Sequence, residues 1–362
     1  MPDFLFDELP DERWLSLVDE AGALGVRSFV IGGGGEPMLR GKLVTEMCVK
    51  VKAWGMEGRL QTNGTRMPPE TIEALIKAGW DCLSISLDGP DVAVNDAIRF
   101  EGAYNKVVAT LHALRAMKAK YKSSLPTVSI HMTITAQNYN RLEDMVAFCL
   151  DTGVDMLAAS PLIENGMADT GYPLNLEHRA ALPSNIKGAI KKADAAGLPH
   201  TLHNLLMLVE KAESDTVTGK PACPELVNML AGAHCLEPWT GVSIVSSGHI
   251  SPCCFFWDEQ AESIRDMTLA EAWNGPYMTG FRERMLLGKL RGECIHCPFP
   301  HSEEHVGLKE ALQKTFNTGG GTGVLRRIFN SLRNHGIRGS FKRFKEWRVI
   351  KRAAREEHNK RP

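Results

Sequence analysis

Between residues 10 and 200 the apolar positions switch repeatedly between helical and strand spacing. Trp14, Leu17, Val18 and Ala21 fall on one face of a helix over residues 12–23. Residues 27–31 read as a buried strand that runs into glycines. A short strand at 59–62 is stopped by Asn63-Gly64. The helix expected at 69–78 has Pro69 in its first turn and Gly79 after its end. Residues 82–87 alternate into Asp88-Gly89, and 104–121 form a long amphipathic helix. Residues 127–135 are rich in β-branched side chains and predict a strand. A helix at 142–151 closes near Gly153. The strand at 156–159 leads into Pro161, and a helix at 177–196 ends at Gly197. One helix per strand predicts a parallel sheet. A barrel and an open doubly wound sheet both fit that alternation. A parallel strand ahead of Glu12 would make the barrel a six-unit one.

The rhythm stops in residues 222–300, which instead hold Cys223, Cys235, Cys253, Cys254, Cys294 and Cys297, with Gly248 between the second and third. Four thiolates at 235, 253, 294 and 297 suit a tetrahedral metal site or an iron–sulfur cluster. Their spacing alone does not choose between zinc and iron–sulfur. Cys254, beside Cys253, could exchange roles with it, and Cys223 is a spare. Residues 317–323 (NTGGGTG) read as a flexible linker. The tail at 324–362 sets Leu325, Ile328, Phe329 and Leu332 at helical spacing, then Phe341, Phe344 and Trp347.

Length and composition narrow the setting. A chain of 362 residues allows about two domains, and its 43% hydrophobic and 23% charged residues are ordinary for a globular protein. No apolar run approaches the ~20 residues of a membrane span. The start, MPDFLFDELPDERW, is acidic and is not a secretory signal. A cytoplasmic protein is expected, in which nine cysteines serve as thiols or metal ligands. The net charge of −1 hides a tail of 13 Lys or Arg against 3 Asp or Glu from residue 325 onward. That tail fits an anionic surface, or a helix docked on the acidic body of its own chain.

Three polar segments follow consecutive expected strands. Gly32-Gly33-Gly34-Gly35-Glu36-Pro37 lets backbone approach a small ligand and offers Glu36 to an ammonium group. Thr62-Asn63-Gly64 and Ser86-Leu87-Asp88-Gly89 follow the next two strands. Each alone is ordinary turn chemistry. Together they line one end of the sheet, where parallel α/β proteins bind ligands. Cys149 reads as a packed thiol, and His131 as a core histidine or a residue facing a barrel interior. His200 and His203 are left without a role.

In combination these segments resemble the radical S-adenosylmethionine superfamily. Gly33-Gly34-Gly35-Glu36-Pro37 is similar to its GGEP motif. Thr62-Asn63-Gly64 is similar to its third-strand motif. Ser86 to Gly89 with Asn95, Asp96 and Arg99 is similar to its fourth-strand region. Cys235-Leu-Glu-Pro-Trp239, Gly248 with Cys253, Trp273-Asn274, Phe281-Arg282 and Cys294-x2-Cys297 resemble a SPASM-type auxiliary cluster domain. The resemblance implies a partial (β/α)6 TIM-like barrel over 1–205, its first strand missing. A SPASM-like iron–sulfur domain over 222–300 and the basic tail would follow. It implies S-adenosylmethionine contacts at Gly34, Glu36, Asn63, Ser86 and Asp88, and an auxiliary [4Fe-4S] cluster on Cys235, Cys253, Cys294 and Cys297. It further implies a peptide, sugar or small-metabolite substrate and an electron donor such as flavodoxin or ferredoxin. The family's chemistry is reductive cleavage of the cofactor to a 5′-deoxyadenosyl radical, followed by hydrogen abstraction.

Two departures accompany the resemblance. The family carries C-x3-C-x2-C after its first strand, whereas the cysteines here before residue 149 are Cys48 and Cys82. A missing N-terminal segment would restore that triplet and with it a second [4Fe-4S] cluster. The alternative is a non-catalytic iron–sulfur or zinc protein on a relic barrel. Full SPASM domains also have cysteines after C-x2-C, and none follows Cys297, so one auxiliary cluster is expected.

Overall fold

The computed structural model of the chain describes residues 7–162, 170–212, 235–255, 257–295 and 297. The linker at 317–323, the basic tail at 324–362 and Cys223 lie outside the described residues. The chain divides into two compact units, residues 27–217 and residues 1–26 with 218–362.

The unit of residues 27–217 is built on five parallel strands, β1 (Ser28–Ile31), β2 (Glu57–Thr62), β3 (Cys82–Ser86), β4 (Thr127–Ile134) and β5 (Met156–Pro161). They lie side by side in chain order. Residues 199–201 extend the order by one parallel bridge. The Leu157 amide donates to the Pro199 carbonyl at 3.0 Å, and the Thr201 amide to the Leu157 carbonyl at 3.0 Å. Between the strands run α2 (Gly41–Ala53), α3 (Pro69–Ala78), α4 (Val92–Ile98), α5 (Ala103–Tyr121) and α6 (Leu142–Thr152). α7 (Leu176–Ala196) and α8 (Leu202–Ala212) follow β5. The stops are local. α3, for example, ends on Gly79 at φ 68°, a left-handed turn that glycine adopts without strain.

Strand order never reverses. Parallel crossovers are right-handed, so every connecting helix lands on one face of the sheet. Burial agrees: Leu60, Leu83, Ile85, Ile130, Met132 and Leu157 are completely buried under helices. The side chains between them in sequence point the other way. They include the polar residues Arg59, Gln61, Ser84, Ser86, Ser129, His131 and Ser160, with Val30, Met156 and Ala158 as apolar exceptions. A doubly wound sheet covers both faces with helices and makes both apolar. This sheet has one bare, mostly polar face, as the interior of a ligand-binding partial barrel does. The choice left open by the sequence falls to the barrel. The element ends match the expected ones closely. α4 and α8 were not among the expected helices.

The second unit holds α1 (Asp11–Leu24) with α9 (Glu237–Thr240), β6 (Ser243–Ile244), β7 (Ile250–Ser251), α10 (Leu269–Trp273), α11 (Pro276–Leu286) and α12 (Gly292–Ile295). β6 and β7 form an antiparallel pair. α1 is bound here by its polar side. Arg13 donates to the carbonyls of Ile264 (2.5 Å) and Met267 (3.1 Å) and pairs with Glu20 at 2.7 Å. Glu20 in turn accepts the Leu269 amide at 2.6 Å, at the start of α10. No described helix is long and apolar enough to cross a membrane.

The β2–β3 region is held by Trp80, which is fully buried and donates its indole N–H to the Cys82 carbonyl at 2.9 Å. Its ring lies so close to Gly58 that a Cβ there would sit 2.2 Å from Trp80 Cζ3. Gly58→Ala should therefore lower stability by about 1–3 kcal/mol, the cost of overpacking. Denaturant unfolding measures this. A change within ~0.5 kcal/mol would mean that the ring moves aside.

Candidate functional site

The carboxyl ends of β1 and β2 are tied together by one side chain. Glu36 Oε1 accepts the Met38 amide at 2.9 Å and the Thr62 hydroxyl at 2.6 Å, while Oε2 accepts the Asn63 amide at 2.7 Å. A carboxylate has about four lone-pair positions, so Oε2 keeps acceptor capacity. Gly33 and Gly34 stand ahead of it at φ 79° and 69°, and nothing lies within 4 Å of a Cβ built on either. The loop needs glycine for its backbone path, and the space beside it is open.

Asn63 forms an Asx turn, its Oδ1 accepting the amide (2.9 Å) and hydroxyl (2.8 Å) of Thr65. Its amide nitrogen remains available as a donor. Ser86 ends β3 beside His131 of β4. Asp88 is buried, and both of its oxygens are engaged. Oδ1 accepts the Thr133 amide at 2.8 Å, and Oδ2 pairs with Arg99 Nε at 2.8 Å. Asn95 and Asn138 hold the same loop, Asn95 accepting the Asp88 amide and Asn138 donating to the Asp88 carbonyl. Asp88 thus positions the loop after β3. Gly34, Glu36, Asn63, Ser86 and Asp88 all stand at the carboxyl edge of one sheet.

Beneath that edge lies the bare face. His131 Nε2 is 3.1 Å from Ser160 Oγ. Burial pushes its pKa below the ordinary 6.5, Asp88 pulls it up, and Arg99 and Arg59 push it down again. The reading of His131 as facing a barrel interior matches this placement. Arg59, Gln61, Ser84, Ser129 and Ser160 were missed. Their signal was the period-two alternation of polar residues along β2, β3 and β4, which goes unnoticed when strands are read only for their apolar partners. A cleft of about 420 Å³ lined by Pro90, Tyr104, Arg141 and Phe148 lies among the helices instead. It shares no residue with the loop edge or the bare face.

The second unit gathers the cysteines. Cys235, Cys253 and Cys294 all pack on the buried pair Phe281 and Met285 of α11, together with Trp239. The Cys297 amide donates to the Cys294 carbonyl. Burial pushes the Cys235 thiol up to about 11, and Glu237, Cys297 and Cys294 close by add to the rise. None of the described cysteines forms a disulfide, and Cys254 is exposed. Arg282 locks this region. It donates to the carbonyls of Pro238 (2.8 Å) and Trp273 (2.9 Å) and lies 4.1 Å from the centre of the Trp273 ring. Burial lowers its pKa to about 10, which still leaves it charged at neutral pH. Cys48 and Cys149 are buried in α2 and α6 with thiol pKa values raised by burial, as packed thiols.

Among the described residues, the one set of three His, Cys, Asp or Glu ligand atoms within 4.8 Å of one another is Asp194, His200 and His203. His200 Nδ1 accepts the Leu202 amide at 3.2 Å, so its proton sits on Nε2 and is given to Asp194 at 3.0 Å. This cluster joins α7 to α8.

Comparison with known proteins finds two family matches, the first of which spans α1 as well as β1 to β4. Residues 2–149 match the radical SAM superfamily, and residues 235–298 match SPASM, an iron-sulfur cluster-binding domain. The pre-heme d1 synthase of Dinoroseobacter shibae is 26% identical over 80% of this chain and 72% of its own length. The PqqA peptide cyclase of Granulibacter bethesdensis is 28% identical over 74% of this chain and 66% of its own. Among solved structures, Streptococcus suis SuiB bound to precursor peptide SuiA superposes with a TM-score of 0.57 at 19% identity. That match covers 76% of this chain and 60% of SuiB. The native anSMEcpe structure with bound AdoMet gives 0.57 at 17% identity, covering 81% of this chain and 78% of that one. The chain thus carries a radical S-adenosylmethionine superfamily domain and a SPASM iron-sulfur cluster-binding domain.

Proposed function

We propose that this chain binds S-adenosylmethionine at the carboxyl edge of the β1–β5 sheet and holds one auxiliary [4Fe-4S] cluster on Cys235, Cys253, Cys294 and Cys297, in a protein that modifies a peptide or small-metabolite substrate. The observation that carries the first part is Glu36. One carboxylate organises two neighbouring loops and keeps an oxygen for an ammonium group beside open glycine backbone. Asn63 and Ser86 add a donor and a hydroxyl on the next two strands. Asp88, held by Arg99, fixes the loop that presents Ser86. A PqqA peptide cyclase among the relatives supports a peptide substrate, and the pre-heme d1 synthase supports a small-metabolite one.

Support for iron–sulfur over zinc comes from the match of residues 235–298 to an iron-sulfur cluster-binding domain. The apolar floor of Phe281, Met285 and Trp239 excludes water from that site, and Arg282 fastens the Cys235 segment to α11. When bound, the auxiliary cluster supplies one-electron chemistry or a ligand position for substrate.

Reductive cleavage of the cofactor in this family uses three further thiolates, and Cys48 and Cys82 cannot provide them. Cys48 is buried in α2, and Cys82 begins β3, at the end opposite the cofactor loops. A catalytic reading therefore requires three further thiolates as ligands of a first cluster. The competing reading, a non-catalytic protein on a relic barrel, keeps the auxiliary cluster and loses turnover.

Two outcomes test the proposal. Glu36→Gln should weaken S-adenosylmethionine binding about 10- to 100-fold in calorimetry, the effect of losing one charged hydrogen bond. Unchanged affinity would place the cofactor elsewhere. After anaerobic reconstitution, the 362-residue chain should hold about four irons and four sulfides. Cys294→Ala should lower that content sharply, and zinc without sulfide would contradict it.

A further inference from the structure

We infer that Arg282 donates a hydrogen bond from Nη2 to a sulfur of the auxiliary cluster and thereby raises the potential at which that cluster accepts an electron. This rests on the reading that Cys235, Cys253, Cys294 and Cys297 hold an iron–sulfur cluster, and it adds what sets the cluster's electron affinity.

The starting point is an unsatisfied donor. Arg282 Nη2 is buried and has no hydrogen-bond partner among the described residues. The rest of the guanidinium is committed. Nε donates to the Pro238 carbonyl at 2.8 Å, Nη1 donates to the Trp273 carbonyl at 2.9 Å, and the group lies 4.1 Å from the centre of the Trp273 ring. These contacts fix its plane, so Nη2 cannot turn to find an acceptor elsewhere. Buried donors are normally paired, and an unpaired one costs most when it belongs to a cation. The position calls for an acceptor that the polypeptide does not supply.

Two features put that acceptor among the cysteines. Nε and Nη2 share one edge of the planar fork, so one Nη2 N–H runs parallel to the Nε–H that meets Pro238. Pro238 lies in α9, three residues after Cys235. The preceding residue on α11, Phe281, forms with Met285 the buried pair on which Cys235, Cys253, Cys294 and Trp239 pack. The guanidinium is thus clamped to the segment that Cys235 begins, one residue from the floor of the cysteine set.

Burial then selects the partner. A small molecule from solution does not reach an atom sealed from water, whereas a cluster assembled with the fold does. Its thiolate and sulfide sulfurs are anionic acceptors, and an added electron makes them stronger ones. Hydrogen bonds to the sulfurs help set the potentials of such clusters. Donation from a cation favours the reduced state, so Arg282 raises the potential. Two neighbouring arginines serve as controls. Arg284 is exposed on the far side of the Phe281 ring contact, 5.9 Å from its centre, and Arg291 pairs with Asp258 at 3.4 Å.

The test uses the full chain, grown with 15N-labelled arginine and reconstituted anaerobically. Dithionite supplies the one electron that takes the cluster from its 2+ to its 1+ state. Pulsed EPR of the reduced cluster should show coupling to an arginine 15N. The coupling should persist in Arg284→Lys and Arg291→Lys and vanish in Arg282→Lys. Where Arg282→Lys keeps about four irons per chain, its cluster should be harder to reduce. The reduced-to-oxidised ratio at a given potential should fall at least tenfold, about 59 mV for a one-electron couple. Where Arg282→Lys loses its iron, the coupling in the unsubstituted chain and the two control variants decides. Absence of arginine coupling, coupling that survives Arg282→Lys, or an iron-loaded Arg282→Lys of unchanged potential would overturn the inference and leave the cluster reading standing. Zinc without sulfide would end both.

Discussion

Much of the barrel unit follows from one constraint of chirality. Five parallel strands are laid down in chain order, and each crossover is right-handed. Every helix is thereby sent to the same side. That side becomes the core, with Leu60, Leu83, Ile85, Ile130 and Leu157 sealed beneath helices. The other side receives no helix and is mostly polar, Val30, Met156 and Ala158 excepted. The strand ends then all open in one direction, so the loops after β1, β2 and β3 share one edge. A single carboxylate, Glu36, can reach from one loop to the next because neighbouring strands are that close.

The cysteine unit obeys a different logic. Its regular elements are short: β6 and β7 have two residues each, and α9 and α12 four. Small elements bury little, and such modules lean on metal ligation for their fold. Here the apolar centre is the pair Phe281 and Met285, and the residues packed on it are largely cysteines. Three of the proposed ligands, Cys235, Cys253 and Cys294, pack directly on that core. Arg282, buried between two backbone carbonyls and an indole face, holds the strand-poor chain in register.

The sequence made much of this legible, for identifiable reasons. Strands β3 and β4 and helices α3, α6 and α7 have strong periodicity and clear stops, such as Gly79 after α3 and Gly197 after α7, and their ends fall within a few residues of expectation. α2 was read only as a helix-like stretch around Cys48, without ends, because its start, Gly41 after a short 3-10 turn at Pro37–Arg40, carries no capping side chain. α1 has the amphipathic pattern of a barrel helix, yet Arg13 and Glu20 bind it to residues 264–269, a pairing that no local pattern encodes. At the site, Glu36 was visible from its motif, but its hydrogen bonds to Thr62 and Asn63 depend on strand adjacency. Asp88 had the right position and a different task, since its pairing with Arg99 and the Thr133 amide is non-local. The bare face was missed because polar residues at every second strand position look like solvent-facing ones until the helices are seen to lie all on the opposite side.

The central claim is that the loop edge above this bare face is the nucleoside-accepting end of the molecule. A crystal structure of the protein with S-adenosylmethionine tests it most directly. The account predicts ligand density at the carboxyl ends of β1 to β3, with the amino group against Glu36 and the backbone of Gly34 alongside. Density in the helix-side cleft between Tyr104 and Arg141, with the Glu36 loop empty, would contradict it.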